Sequence, residues 1–131
     1  MQHKGTVRLE TERLVLRRFT REDLVPFYQS CLSDREVWRW TSYPQMENLE
    51  DVQEKGGLFT PKWLAAYSQP NRYSWAIAEK PEGPAIGRMF GMHPDDRAED
   101  IELAYELGRA YWGRGYMTEA VRAVIGFFSG R

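Results

Sequence analysis

The segment Tyr111-Trp112-Gly113-Arg114-Gly115-Tyr116-Met117-Thr118-Glu119-Ala120 sets a glycine-rich turn between an alternating run and a run with helical spacing. Glycines at such a turn let successive backbone N–H groups converge. The helix that follows adds the positive end of its dipole, so the segment can cradle a pyrophosphate without a charged side chain. Arg109 and Arg114 stand beside it as additional positive charge. The plainer reading is a strand-to-helix turn that uses glycine only for its backbone angles. Two nucleotide motifs are excluded: the dinucleotide fingerprint needs a third glycine where Thr118 stands, and a Walker loop needs Gly-Lys-Ser/Thr. Just before the turn, alternation over residues 101–107 puts Glu102, Ala104 and Glu106 on one face of a strand. A solvated strand face is the plain alternative for both carboxylates, and it is the reading adopted for Glu106.

These groups must be positioned by a scaffold that the hydrophobic pattern predicts. Residues 1–10 are polar and aperiodic, and residues 13–19 alternate as a half-buried strand. Thr20 followed by Asp23 starts a helix whose Leu24, Phe27, Tyr28, Cys31 and Leu32 share one stripe, with Pro26 about a turn in. Residues 37–43 form an aromatic connector, and residues 49–67 form two short helices hinged at Gly56-Gly57. A hairpin follows, residues 74–79 and 85–92 around Pro81-Glu82-Gly83-Pro84, then a polar turn from Pro94 to Arg97 and the strand 101–107. Residues 118–128 carry Val121, Val124, Ile125 and Phe128 at helical spacing, with Gly130 as the C-terminal cap. The predicted order is strand, helices, three strands, helix, a mixed α+β fold.

Several stretches together resemble the GNAT superfamily of acyl-CoA-dependent N-acetyltransferases, in its RimJ/RimL-like branch. They are Leu9-Glu10-Thr11-Glu12-Arg13-Leu14-Val15-Leu16-Arg17, Ser33-Asp34-Arg35-Glu36-Val37, the hairpin through Ile86-Gly87, and Ile101-Glu102-Leu103-Ala104-Tyr105 leading to the glycine turn. The resemblance implies a mostly antiparallel sheet flanked by helices, and acetyl-CoA as co-substrate. It gives the pyrophosphate to Trp112, Gly113, Arg114, Gly115, Tyr116 and Met117. Gly115 matches the family's fourth position, while Met117 stands where Gly or Ala is usual. It also implies that the strand backbone near Leu107 pairs with pantetheine and that Glu102 is the general base. An alkyl ammonium has no lone pair and must lose a proton before attacking a thioester. An N–H near Leu107 would polarise the thioester oxygen. Relatives continue past the last helix, so the resemblance implies one acyl-CoA-binding domain over residues 1–131, incomplete at its C-terminus and without a nameable general acid.

The remaining features narrow the partners. Eighteen Lys plus Arg against nineteen Asp plus Glu give a net charge of −1, which argues against nucleic acid or an anionic membrane. Residues 123–129 are too short an uncharged run to span a bilayer, and the amino terminus has no signal-peptide core, so a cytoplasmic protein is expected. Cys31 alone makes no internal disulfide, and His3 with His93 makes no zinc set. A Cys31–His93 nucleophilic pair is rejected in favour of a buried Cys31. His93 is read as a turn residue. Trp38, Trp40, Tyr43 and Trp63 are read as core, with an acceptor pocket as the alternative, and Asp95, Asp96, Glu99 and Asp100 as a solvated turn. The expected function is transfer of acetyl from acetyl-CoA to a primary amine, on a protein N-terminus or a small molecule, by direct attack in a ternary complex. A non-catalytic acyl-CoA-binding fragment that needs a partner chain is the alternative, and an interaction protein a weaker third. An unpaired strand edge and an apolar last helix predict self-association.

Overall fold

The computed structural model describes residues 3–39, 44–95 and 100–130. Strand β2, Leu14–Arg17, forms where the alternation predicts it. It is preceded by a short β1, Leu9–Glu10, inside the stretch read as aperiodic; pairing of Leu9 with Leu16 and Glu10 with Val15 supplies the order that its composition does not. Thr20 opens the helical region. Its N–H donates to Asp23 Oδ2 at 2.8 Å, closing a capping box. A 3-10 turn (Arg21–Asp23), α1 (Leu24–Phe27) and a π-helical turn (Tyr28–Leu32) follow without a break. Pro26 is the third residue of α1, where a missing N–H is less costly than deeper in a helix. In the π-turn Ser33 N–H reaches Tyr28 O at 2.8 Å.

Helix α2 (Arg35–Trp38) is capped by Asp34, which accepts the N–H of Glu36 at 3.0 Å. This helix overlaps the start of the predicted connector; Trp40 and Tyr43 fall outside the described residues. The two hinged helices are α3 (Leu49–Glu54) and α4 (Pro61–Ala65), capped by Asn48 and Thr60. Strands β3 (Ser74–Glu79), β4 (Ala85–Asp95) and β5 (Asp100–Leu107) complete a five-stranded sheet of order β1-β2-β3-β4-β5, antiparallel throughout. Strand β4 runs through His93 and Pro94, which the sequence reading gave to a turn, because β5 pairs with it as far as Asp95 and Asp100. Asp96 and Glu99 lie outside the described residues.

Both faces of the sheet are covered, which is why β3 is buried along nearly its whole length. On one face Phe19, Phe27, Cys31, Leu32, Trp38 and Phe59 pack with Ala76 and Ala85, whose small side chains let the aromatic rings approach. On the other, Leu16, Trp75, Ile77, Ile86 and Met89 meet Tyr116, Ala120 and Val124 of helix α5 (Tyr116–Phe128), spaced four apart on one stripe. Helix α5 begins two residues earlier than its apolar pattern indicates, because Gly115 caps it from a left-handed conformation and brings Tyr116 into the core. Among the described residues no helix is long and apolar enough to cross a membrane, and no cluster of His, Cys, Asp and Glu could hold a metal ion.

Candidate functional site

Among the described residues strand β5 stands at the end of the sheet, with no strand paired to its outer edge. Gly108 N–H donates inward to Ile86 O at 2.8 Å, and the alternation of a ladder then turns the N–H and C=O of Leu107 outward. The outward carbonyl is taken by the indole of Trp112, Nε1 to O at 2.7 Å. Between them a 3-10 turn, Arg109–Tyr111, carries the chain round to the glycines.

Gly113 and Gly115 both have φ of +80°, the left-handed region that L side chains avoid. With the chain bent this way, the N–H groups of residues 113–118 meet no backbone or side-chain acceptor among the described residues. The first of the bonds back to this turn is Glu119 N–H to Gly115 O at 3.1 Å. These amides open on the N-terminus of the thirteen-residue α5 and form a nest suited to a diphosphate. The turn is braced from behind. Arg13 Nη1 donates to Arg114 O at 2.9 Å, its guanidinium lies 4.7 Å over the Tyr116 ring, and Tyr116 Oη donates to Glu79 Oε2 at 2.6 Å.

A cleft of about 560 Å³ runs from this turn along β5, under α2. Leu107, Trp112, Gly113, Gly115, Tyr116 and Met117 line it, as the sequence reading has them together. Arg114 is exposed, with its guanidinium 5.4 Å over the ring of Tyr111. Arg109 does not supply charge to the turn: its guanidinium is held by Asp34 at 2.6 and 2.8 Å, tying the 3-10 turn to the cap of α2. Glu102 lies exposed on β5, opposite Met92 in the ladder.

Glu106 is the residue that sequence reasoning missed. It is 7% exposed, not solvated, because the face it shares with Ala104 is the one covered by the N-terminal helices. It borders the cleft, stands opposite Arg88 in the ladder, and its Oε1 is buried without a hydrogen-bond partner. Burial pushes its carboxyl up to about 7 against the opposing pull of Arg88. Alternation alone does not separate it from Glu102, which lies on the same strand face; the cover that buries Glu106 comes from the N-terminal helices. Cys31 is fully buried in the π-turn as predicted; burial, and then the nearby Glu106, hold its thiol well above the ordinary range, which leaves it unreactive. Trp38 is buried core, donating Nε1 to Cys31 O at 2.9 Å, and Trp63 packs against the same cluster.

A family model described as an acetyltransferase (GNAT) domain matches residues 13–131. The chain is 28% identical over 120 residues to an uncharacterized N-acetyltransferase, YoaA, of Bacillus subtilis, covering 91% of this chain and 64% of that protein. It is 30% identical over 119 residues to the uncharacterized N-acetyltransferase p20 of Bacillus licheniformis, with the same coverage of 91% and 64%. The chain thus spans less than two thirds of the length of these relatives. A Vibrio cholerae structure provisionally named a ribosomal-protein-serine acetyltransferase superposes with a TM-score of 0.76 at 18% identity, over 95% of this chain and 68% of that one. A GNAT-family acetyltransferase of Bacillus anthracis gives 0.68 at 17% identity, over 92% and 65%. The antiparallel sheet, the glycine turn at the head of α5 and the family match agree, and the chain belongs to the GNAT acetyltransferase family.

Proposed function

We propose that this chain is an N-acetyltransferase of the RimJ/RimL-like branch, moving an acetyl group from acetyl-CoA to a primary amine on a protein N-terminus or a small molecule. The observation that carries this reading is the set of unengaged amides from Gly113 to Thr118 at the head of α5, opening on the cleft beside β5. Trp112, Gly113, Arg114, Gly115, Tyr116 and Met117 hold the pyrophosphate. Pantetheine lies along the open edge of β5, and the outward N–H of Leu107 polarises the thioester oxygen. A carboxylate of β5, Glu102 in the family resemblance, accepts the proton of the ammonium, and the free amine attacks the thioester directly in a ternary complex. The name of the Vibrio cholerae neighbour supports the branch.

The same reading makes the chain one acyl-CoA-binding domain working in the cytoplasm. Copies associate through the outer side of α5, where Ile125 is 55% exposed. Calorimetric titration with acetyl-CoA tests the cofactor site, and thiol release with a panel of amines tests transfer. Absence of acetyl-CoA binding overturns the reading. Binding without turnover on any amine favours the non-catalytic alternative, and a monomeric sedimentation profile at micromolar concentration removes the association.

A further inference from the structure

We propose that Glu106, rather than Glu102, accepts the proton of the attacking amine. The inference rests on the acetyltransferase reading above and sharpens it. Its first support is distance along the strand. If the thioester oxygen sits on the N–H of Leu107, the reacting carbon lies beside residues 106–108. Glu102 is five residues away, roughly 17 Å of extended chain. A glutamate side chain reaches across that span only through intervening water, whereas Glu106 is the adjacent residue.

The second support is the setting of the carboxyl. Glu106 borders the cleft, while its Oε1 is buried without a hydrogen-bond partner. A buried polar atom left unpaired in a native site is costly, and a group that arrives with the substrate resolves that cost. The charged and titratable groups around it come from every element that packs there. Arg88 faces it from β4 and Cys31 from the π-turn. At the rim stand Tyr111, Glu36 of α2 and Arg39 just after it; Glu36 and Arg39 pair with each other at 3.2 Å. Asp34 is neutralised by Arg109 at 2.6 Å. Arg88 is thus the cation opposite Glu106 in the ladder, and burial still holds the carboxyl near neutrality, where a base for an alkyl ammonium is poised between accepting and releasing its proton.

The step balances. The Glu106 carboxylate takes one proton from R–NH3+, and the nitrogen lone pair forms the N–C bond. The C–S bond then breaks, and its electron pair leaves on sulfur. The second nitrogen proton ends on that thiolate as CoA-SH, and Glu106 gives its own proton to solvent before the next turnover.

The test compares wild type, Glu106→Gln, Glu106→Asp and Glu102→Gln. Each is titrated with acetyl-CoA by calorimetry and assayed for thiol release across neutral pH with spermidine, kanamycin and a hexapeptide bearing a free amino terminus. The Glu106→Gln variant should lose roughly 100-fold or more in kcat with acetyl-CoA affinity within about threefold of wild type. It should also lose the acid limb that wild type shows near neutrality, and Glu106→Asp should recover part of the rate. The loss in Glu102→Gln should be at least roughly tenfold smaller than that in Glu106→Gln. A readout independent of turnover is the carbon-13 carboxyl titration of the wild-type protein, in which the signal missing from Glu106→Gln should have its midpoint at about 7. A large loss in Glu102→Gln with none in Glu106→Gln overturns the assignment, as does a Glu106 midpoint in the ordinary glutamate range near about 4.3. If Glu106→Gln does not fold, the Asp variant and the wild-type titration decide. Failure of wild type to bind acetyl-CoA, or to acetylate any of the three amines, defeats the transferase reading itself, and the base assignment falls with it.

Discussion

Glu119, one turn into α5, accepts the backbone N–H of Arg13 at 2.9 Å and the Nε of the same residue at 2.8 Å. The carboxylate also accepts the hydroxyl of Thr11, so it is drawn out to the β1–β2 turn and away from the amides at the head of its own helix. An acidic side chain in a first turn ordinarily settles on those amides. Here it anchors a neighbouring turn, and the helix terminus keeps its donors for an incoming anion.

Removing this anchor should therefore affect both stability and binding. Glu119→Ala is expected to lower unfolding free energy by about 1 kcal/mol, since the pair is partly exposed. Acetyl-CoA affinity should weaken several-fold as Arg13 loses its hold and the 2.9 Å bond to Arg114 O relaxes. Urea titration and calorimetry on the same preparation check the two effects.

Gly115 and Gly130 share a positive φ, +80° and +77°, but only Gly115 lies at the candidate site. Each Gly→Ala replacement should cost roughly 1–2 kcal/mol or less from the left-handed backbone alone. The Gly115→Ala variant should in addition lose at least roughly tenfold in acetyl-CoA affinity, a factor equivalent to about 1.4 kcal/mol. Equal affinity in the two variants would separate the turn's conformation from ligand binding.

The Arg17–Asp23 pair gives a pH dependence whose sign is fixed. Burial raises the Asp23 carboxyl, but the two bonds from Arg17 at 2.8 and 2.9 Å and the Thr20 N–H outweigh it and leave the value below the ordinary one. A depressed acid binds fewer protons folded than unfolded, so the stabilisation is complete above the unfolded value near about 3.9 and is lost as pH falls through the lower folded value. Asp23→Asn should flatten the acid side of the stability profile and cost on the order of 1–3 kcal/mol near neutrality, measured by urea unfolding at a series of pH values.

Glu106 has the opposite sign. Its folded value of about 7 exceeds the unfolded one, so the folded state holds a proton that the unfolded state releases, and stability declines as pH rises from the ordinary glutamate range to about 7. Above that window Glu106→Gln should be more stable than wild type, by up to about 3 kcal/mol, and near pH 4 the two should converge. Thermal unfolding at acidic and mildly alkaline pH checks the crossing. A catalytic group that is costly to the fold is the expected signature of a working site.

The elements were legible where local chemistry decides them. Thr20 with Asp23, the Gly56-Gly57 hinge and the strands β3 and β5 each appear where read, because capping, backbone freedom and strand propensity act within a few residues, although burial along β3 is continuous and not alternating. Residues 112–117, except the outward side chain of Arg114, gather at one cleft for the same reason: the turn and the helix start are contiguous in sequence. Glu106 and Arg109 were not legible, since their surroundings come from α2 and the π-turn, some seventy residues earlier. Strand alternation puts Glu102 and Glu106 on one face, but only the tertiary cover of that face by Cys31 and Trp38 makes one carboxylate buried and leaves the other wet. Leu9–Glu10 was missed because two polar-flanked residues carry no period.

The indole of Trp112 on the Leu107 carbonyl works as a stop for sheet growth. A chain laid against the outer side of the last strand would need that oxygen to continue its ladder, and it finds the acceptor already taken. Anything extended that comes alongside must therefore peel away at this point, so a fixed wedge opens between the strand and whatever runs beside it. The same tryptophan thus guards the molecule against runaway edge-to-edge stacking and sets the register of any long, thin guest.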